Sequence, residues 1–332
     1  MTSKTKREKI IIINIKKTMK KKQRRNDLIG FMHELISHLH AEGRYGTAHV
    51  YRSTLRRIIE FEGGRKEIPL TNVTTCWLNA FQNYLLSRGA GSNTISTYIR
   101  MLRATYNRAV QKGMAPYIPF LFNKVHTGVE RGKSRALSVE MMRRIMKPDR
   151  ELPPELEDAR SLFVLLFMLR GLCFVDLFFL QRNNLQGNVL RYRRHKTGRS
   201  LRIEAGPEAM EIIDKHAGGA AGSERLFSLS GTAKGMEYHR YQSALRTFNK
   251  RLKQLSRHLE LGVNLSTYCA RHSWATIANF CHYDKTLICN AMGHSSLKVT
   301  ETYFQEFRDE EINRMNRGII SYIMQGERKI RA

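Results

Sequence analysis

The sequence lacks the patterns that mark membrane-spanning, secreted and zinc-binding proteins. It has no run of about 18 apolar residues, and the stretch Ile10-Ile-Ile-Ile-Asn-Ile15 is too short to cross a bilayer. No small-residue cleavage site follows that stretch, which argues against a signal peptide. The five cysteines form no Cys-x-x-Cys pair, so the sequence predicts neither a disulfide framework nor a zinc site. We therefore expect a cytoplasmic protein in a reducing compartment, with no membrane partner.

Acidic residues are also scarce. The 332 residues include 29 Asp and Glu against 57 Lys and Arg, which gives a formal net charge of +28. A charge this large favours a polyanionic partner, because self-repulsion would otherwise destabilise the compact chain. Residues 1–25 hold eleven Lys or Arg and a single acid, Glu8. This basic N-terminal tail is either a solubilising segment or an arm that contacts DNA.

The segment 26–121 has the apolar periodicity of four helices joined by short loops. Apolar residues recur at three- and four-residue spacing after Asp27, Thr47, Thr74 and Gly91. Four such helices predict a small all-α domain. The polar faces of the second and fourth predicted helices are basic, and we expect them to contact DNA phosphates. The arginines singled out on these faces are Arg52, Arg56, Arg100 and Arg103.

The segment 137–310 is predicted to be a second domain, mainly α-helical with a small β-sheet. Residues 122–136 are polar, basic and without periodicity, as is typical of an interdomain linker. Ser138 can cap a helix that continues to Met146. Residues 159–169 are apolar on nearly all sides, which predicts a buried helix. Further helices are expected at 207–217, 237–259, 267–280, 284–292 and 296–305.

The stretch from Ala291 to Tyr303 places a tyrosine nine residues after His294. A phenol is almost fully protonated at neutral pH, so a tyrosine nucleophile needs a strongly basic pocket. Two cationic stretches could form that pocket. They are Tyr268-Cys-Ala-Arg271 and Tyr192-Arg-Arg-His-Lys196-Thr-Gly198, the second at the tip of a β-hairpin predicted from residues 189–194 and 200–203.

In these motifs the chain resembles the tyrosine recombinases, also called the phage integrase family, over residues 26–310. The stretches Arg-Gly-x-x-Phe-Val-Asp, Tyr-Arg-Arg-x-Lys-Thr-Gly and Ala-Arg-His-Ser-Trp-Ala are similar to those of site-specific recombinases from Bacteroides-type bacteria. The resemblance implies a helical, SAM-like core-binding domain at 26–121 and a tyrosine-recombinase catalytic domain at 137–310. It also implies a nucleoid-associated protein of a mobile element. Its partners would be double-stranded DNA, further copies in a homotetramer on two DNA sites, and a DNA-bending accessory protein.

The resemblance assigns four catalytic positions by motif. Arg271 falls on the second catalytic arginine of the family, and Lys196 falls on the lysine of the β-hairpin. His294 falls on the histidine of the Leu-Gly-His motif, which is Met-Gly-His here, and Tyr303 falls on the nucleophile. The spacing from His294 to Tyr303 is the spacing found in the family. The neighbouring hairpin residues Arg193 and Arg194 are expected to contact DNA.

Two positions depart from the family pattern. The first catalytic arginine of the family lies in Gly-Leu-Arg, where this chain has Gly171-Leu172-Cys173, and a thiol cannot donate a charged fork to phosphate. On a helix Arg170 would lie within roughly 60° of the same face, so we expect it to replace the missing arginine. An ion pair with Asp176 is the alternative. Tyr268 stands where the family usually has a histidine, and it can hydrogen-bond a phosphate oxygen.

The resemblance implies DNA cleavage and rejoining through a 3′-phosphotyrosyl intermediate. Tyr303 would attack the phosphorus while Arg271 and Arg170 stabilise charge on the phosphate oxygens. Lys196 would protonate the leaving 5′-oxygen as a general acid. The energy of the phosphodiester bond is kept, so we expect no ATP and no other cofactor. No Asp or Glu cluster with metal-ligand spacing accompanies these residues, so the sequence does not predict a two-metal nuclease.

Two other functions stay open at this point. One is a catalytically inactive, sequence-specific DNA-binding protein on the same fold, which Cys173 and Tyr268 motivate. The other is a type IB topoisomerase-like enzyme, which uses the same tyrosine chemistry without partner sites. The sequence does not distinguish integration from excision or inversion, although the short basic N-terminus favours a simple inversion or resolution system.

The C-terminal segment 311–332 carries an apolar stripe on a predicted helix. Its members are Ile312, Met315, Ile319 and Ile323. In the recombinase family, a C-terminal helix of this kind docks on the neighbouring protomer. Packing of the stripe on its own domain is the alternative.

Overall fold

A computed structural model describes residues 26–130, 134–218, 224–229, 237–294 and 296–304, together with residues 316, 317, 319 and 320. The basic tail 1–25 and most of the predicted C-terminal helix therefore lie outside the described residues. The chain divides into two compact units, Met1–Arg131 and Gly132–Ala332. None of the helices among the described residues has both the length and the apolarity that a membrane span requires.

The described part of the first unit contains four helices. They are α1 (Leu28–Ala41), α2 (Tyr45–Phe61), α3 (Thr75–Ser87) and α4 (Ser92–Gln111), with a 3-10 turn at Leu70–Asn72. Asp27 caps α1 by accepting hydrogen bonds from the amides of Ile29 and Gly30. Thr74 caps α3, because its hydroxyl accepts from the amide of Trp77. All four helices predicted from apolar periodicity are confirmed.

The core of the first unit lies between these four helices. Its buried side chains include Leu28, Phe31, Met32, Leu55, Ile58, Leu78, Phe81, Leu85, Ile95, Ile99 and Leu102. The core continues through Phe122 and Val125, beyond the predicted domain boundary at residue 121. Because the apolar faces of α2 and α4 pack inward, the basic faces of these helices are left to solvent.

The second unit is mainly helical. Its helices are α5 (Val139–Met146), α6 (Pro154–Met168), α7 (Phe174–Phe179), α8 (Pro207–His216), α9 (Glu237–His258), α10 (Thr267–Phe280), α11 (Lys285–Ala291) and α12 (Leu297–Glu301). The hydroxyl of Ser138 accepts from the amide of Met141 and caps α5, as predicted. Helix α6 buries most of its second half, between Ala159 and Leu166, and packs against α9 and α10. It therefore forms the centre of this unit's core.

A three-stranded antiparallel sheet flanks the helical core. Its strands are β1 (Leu185–Gln186), β2 (Val189–Arg193) and β3 (Ser200–Glu204), in the order β1-β2-β3. Strands β2 and β3 form the predicted hairpin, in which Arg193 lies opposite Ser200. A short helix at Arg182–Asn184, β1 and α7 were not predicted. These elements are too short to show a period of either two or 3.6 residues.

The turn between α6 and α7 brings the chain against α10. Helix α6 ends at Met168, and both Arg170 and Gly171 adopt positive φ angles, 59° and 65°. A Cβ atom on Gly171 would lie 2.8 Å from the Cα atom of Arg271, so only glycine permits this approach. The prediction that Arg170 and Cys173 share a helical face is therefore wrong, because the chain between them is a turn.

We expect Gly171→Ala to lower the free energy of unfolding by about 2–4 kcal/mol, since it adds a backbone clash to the cost of a positive φ angle. Gly187→Ala is the matched control, because Gly187 has a φ of 58° and nothing within 4 Å of the added Cβ. That control should lose only about 1 kcal/mol. Urea denaturation of both variants measures the difference. Equal losses would contradict the close approach of Gly171 to α10.

Candidate active site

Tyr303 lies just after α12 and is only 9% exposed. Its ring stacks on His294, with 5.1 Å between the ring centroids, and lies 4.5 Å from the ring of His272. The guanidinium carbon of Arg271 lies 5.6 Å from the Tyr303 ring centroid. The fold thus brings together three of the side chains that the sequence singled out, from α10, from the turn after α11 and from the end of α12.

Helix α10 holds Tyr303 through its backbone. The hydroxyl of Thr276 donates to the Tyr303 carbonyl at 2.8 Å, and the ring of His272 packs against the Tyr303 ring, with 4.5 Å between the ring centroids. His272 and Thr276 are one helical turn apart and share a face of α10. The helix that carries Arg271 therefore also fixes the position of the tyrosine.

Arg271 is 4% exposed, and most of its donors are used inside the protein. One terminal nitrogen, Nη1, donates to the carbonyl of Gly171 at 2.6 Å. The other, Nη2, donates to the carbonyl of Met292 at 2.8 Å and to the ring of His294 at 2.7 Å. The Nε atom is buried and has no partner among the described residues. A buried donor of this kind is available to an anion that enters the site.

His294 is a neutral imidazole in this arrangement. A guanidinium can only donate, so Nε2 of His294 accepts from Arg271 and the ring proton lies on Nδ1. Nδ1 in turn donates to the hydroxyl of Thr300 at 2.9 Å. Burial, followed by the charge of Arg271, lowers the pKa of His294 to about 3. The ring, which is only 2% exposed, is therefore uncharged at physiological pH.

Arg194 lies beside Cys173, the position where the family's first arginine is missing. Its Nη2 atom is 3.7 Å from the sulfur of Cys173, and its Nη1 donates to the carbonyl of Gly293 at 2.9 Å. Its Nε lies 3.9 Å from a carboxylate oxygen of Asp176, and the residue is 5% exposed. Burial raises the pKa of Asp176 despite this neighbour. Arg194 therefore does not lie on the exposed face of the hairpin, as its grouping with Arg193 had implied.

Sequence reasoning missed the position of Arg194 and favoured Arg170 instead. The guanidinium of Arg170 donates to the backbone carbonyl of Arg202 at 3.3 Å. The hairpin sequence did contain a pattern that predicts an inward Arg194, because alternation along the strand puts it on the same side as the apolar ring of Tyr192, and both residues are buried. The catalytic role proposed for Arg170 stays a prediction.

Lys196 occupies the exposed turn that connects β2 to β3. The turn is closed by the amide of Gly198, which donates to the carbonyl of Arg194 at 2.7 Å, and Gly198 has a φ of 67°. Tyr268, on the first turn of α10, is partly exposed, and its ring lies 5.9 Å from that of His272. The catalytic roles of Lys196 and Tyr268 stay predictions.

Comparison with protein families identifies both units. Residues 27–125 match the phage integrase SAM-like domain, and residues 135–310 match the phage integrase family. The chain belongs to the phage integrase family. It is a tyrosine recombinase with a helical SAM-like domain and a catalytic domain, which confirms the predicted fold class. A search of curated proteins found no match.

Solved integrase structures share the fold of this recombinase. A lambda integrase dimer bound to a COC′ core site is 16% identical with a TM-score of 0.63, covering 85% of this chain and 98% of that chain. The Tn1549 transposon integrase in complex with circular intermediate DNA is 17% identical with a TM-score of 0.62, covering 87% and 99%. A lambda integrase tetramer bound to a Holliday junction is 17% identical with a TM-score of 0.60, covering 85% and 79%.

The other arginines expected to contact DNA are all exposed in the recombinase. Arg52 hydrogen-bonds His40, and Arg56 lies 3.8 Å from the carboxylate of Glu60. Arg100 donates to the carbonyl of Ser96 one turn earlier in α4. Arg193 donates to the carbonyl of Gly198, and Arg103 lies on the exposed side of α4. Their exposure leaves them accessible to phosphate, and their role in binding stays a prediction.

The buried His294 and the half-buried His272 make the stability of the recombinase depend on pH. Burial lowers the pKa of His294 to about 3 and that of His272 to about 4, from 6.5. The unfolded chain therefore binds these protons more readily, so their contribution to stability is full above pH 6.5 and is lost as the pH falls toward the folded values. We expect the free energy of unfolding to fall by at most about 1.5 kcal/mol per histidine between pH 6.5 and 5.

Urea unfolding across that pH range measures this loss. The variant His294→Gln should show a flatter dependence on pH than the wild type. His239→Gln, which changes an exposed histidine of α9, should keep the wild-type slope. An unchanged slope in His294→Gln would contradict a lowered pKa.

Proposed function

We propose that this recombinase cuts and rejoins double-stranded DNA at specific sites, with Tyr303 as the nucleophile. The observation that supports this most strongly is the packing of Tyr303 against Arg271 and His294 of the same chain. In this proposal the Tyr303 hydroxyl gives up its proton to water as its oxygen attacks a DNA phosphorus. The bond to the 5′-oxygen breaks, which leaves a 3′-phosphotyrosyl bond. Attack by the freed 5′-hydroxyl of a partner strand reverses the step and releases the tyrosine.

Two guanidinium groups stabilise the negative charge that gathers on the phosphate oxygens. Arg271 supplies one of them, since its buried Nε has no partner in the part of the chain that the structure describes and is available for that purpose. We propose that Arg194 supplies the other, because its guanidinium lies beside Cys173, where the family's first arginine is missing. A preorganised donor in a dry site stabilises such charge directly, and loss of one typically costs about 10²–10³ in rate.

Lys196 and His294 complete the proposed chemistry. The exposed turn that carries Lys196 lets its ammonium protonate the leaving 5′-oxygen as a general acid. His294 stays neutral because burial lowers its pKa to about 3, and its two ring nitrogens hydrogen-bond Arg271 and Thr300. Its proposed part is therefore to hold Arg271 and to stack on the ring of Tyr303. Tyr268 donates a further hydrogen bond to a phosphate oxygen in this proposal.

We propose that four copies act together on two DNA sites. An apolar groove of about 340 Å³ lies on the second unit, with Trp274, Ile277 and Leu287 among its lining residues. The C-terminal segment 311–332 of a neighbouring copy, with its apolar stripe, is the proposed occupant. This contact would connect cleavage by one copy to the presence of the next one. We propose in addition that a DNA-bending accessory protein takes part and that the recombination product is an inversion.

Covalent trapping tests the proposed chemistry. The protein is incubated with DNA fragments from the region that flanks its own gene, nicked near the exchange point, in the presence of a metal chelator. We expect a protein–DNA adduct on a denaturing gel for the wild type and none for Tyr303→Phe. Tyr117→Phe, which changes an exposed tyrosine of the first unit, should form the adduct normally.

Two other outcomes, in binding and in plasmid relaxation, would indicate the alternative functions. Specific binding to verified sites without any adduct would leave a catalytically inactive DNA-binding protein. Relaxation of a supercoiled plasmid that contains no specific site would indicate a topoisomerase-like enzyme.

Substitution of Arg194 tests which arginine replaces the missing one. We expect Arg194→Ala and Arg194→Lys to slow cleavage by about 10²–10³, because a single buried fork that contacts the phosphate is lost. Arg191→Ala, an exposed change on the same strand, is the control, and adduct formation is measured on pre-bound DNA. An unfolding midpoint temperature of Arg194→Lys close to that of the wild type would show that the fold is kept. If Arg170→Ala abolishes cleavage while Arg194→Lys cleaves normally, the role belongs to Arg170.

A further inference from the structure

Three consecutive carbonyls in the turn after α11 each accept a hydrogen bond from a different arginine. Arg271 donates to the carbonyl of Met292 at 2.8 Å, and Arg194 donates to that of Gly293 at 2.9 Å. Arg199 donates to the carbonyl of His294 at 2.6 Å. Two of these arginines belong to the predicted chemistry. Arg199, in the turn just before β3, has no role in it so far.

Arg199 joins the Lys196 hairpin to the His294 turn at a second point as well. Its other terminal nitrogen donates to the side-chain oxygen of Asn290, in the last turn of α11, at 3.0 Å. The carbonyl of Arg199 also accepts from the amide of Arg194 at 2.8 Å, which closes the base of the turn that carries Lys196. The guanidinium and the backbone of one residue thus connect the lysine turn to the histidine turn.

The packing beside Arg199 brings the same two segments together. A Cβ atom on Gly293 would lie 3.0 Å from a methyl carbon of Leu201, so β3 is in close contact with the histidine turn. On the other side of the hairpin, the amide of His195 donates to Asp176 at 2.7 Å. Lys196 itself lies between these anchors in an exposed turn. Its position relative to the tyrosine therefore depends on the anchors at the two ends of the turn.

We propose that Arg199 is a positioning residue that holds the Lys196 hairpin against the His294 turn and so directs the lysine to the leaving 5′-oxygen. This inference rests on the function proposed above. Arg199 does not touch the phosphate in the proposed reaction. It fixes the distance between the group that protonates the leaving oxygen and the groups that bind the phosphate. A displacement of about 1 Å in such a geometry can cost 10²-fold in rate.

The test compares two substrates that differ only in the leaving atom. In one, the scissile phosphate carries the normal 5′-bridging oxygen, which must take up a proton as the P–O bond breaks and the bond to Tyr303 forms. In the other, a 5′-bridging sulfur leaves as a thiolate and needs no proton. Lys196→Ala should therefore be slow on the oxygen substrate and close to wild type on the sulfur substrate. A defect in positioning the lysine should show the same pattern.

We expect Arg199→Gln to form the covalent adduct about tenfold to hundredfold more slowly than the wild type on the oxygen substrate. On the sulfur substrate the difference should shrink to less than about threefold, which is the pattern that loss of the general acid gives. Arg202→Gln is the matched control, because Arg202 is an exposed arginine on β3 whose side chain has no role in the proposal. It should match the wild type on both substrates.

Each outcome of this comparison has a separate meaning. A wild type that forms no adduct with either substrate would overturn the proposed function itself. If Lys196→Ala stays slow on the sulfur substrate, the lysine is not the general acid and the inference about Arg199 is overturned with it. If Lys196→Ala recovers but Arg199→Gln is equally slow on both substrates, or unimpaired on both, Arg199 does not position the lysine.

Discussion

The catalytic unit depends on one buried charge, the guanidinium of Arg271. A buried ion costs several kcal/mol unless hydrogen bonds satisfy it, and here the partners are the carbonyls of Gly171 and Met292 and the ring of His294. These partners come from segments that are more than a hundred residues apart in the sequence. The fold can keep this charge inside only when the turn after α6, helix α10 and the turn after α11 are all in place. The contacts that position the site are therefore also contacts that stabilise the fold of this unit.

The turn after α11 concentrates positive charge in a small volume. Arg194 and Arg199 reach it from the hairpin, while Arg271 reaches it from α10. Backbone carbonyls are dipoles and not charges, so they satisfy the donors without neutralising them. The site thus stays cationic, as a phosphate-binding site requires. The net charge of +28 extends the same preference over the whole chain and attracts DNA at long range.

The sequence was sufficient wherever local chemistry decides the structure. Ser138 caps α5, and the apolar stripes of α1 to α4 form the first core, as the sequence predicted. The family resemblance alone predicted that Tyr303, Arg271 and His294 lie close together, because no local pattern links residues from separate elements. The helical face expected to join Arg170 to Cys173 is absent because the positive φ of Gly171 belongs to a turn, and the catalytic role of Arg170 stays a prediction. Arg194 was expected to contact DNA beside Arg193, whereas strand alternation puts it inward, on the same side as the buried Tyr192.

The hydrogen bond that holds the Tyr303 backbone comes from Thr276 of the same polypeptide, and the ring of His272 in that polypeptide packs against the tyrosine ring. The ring of Tyr303 thus packs against the arginine and the histidine of its own chain. In the proposed reaction, one copy therefore supplies both the tyrosine and the arginines that act on one phosphate. Contacts between copies would then control the timing of cleavage and would not supply reacting groups.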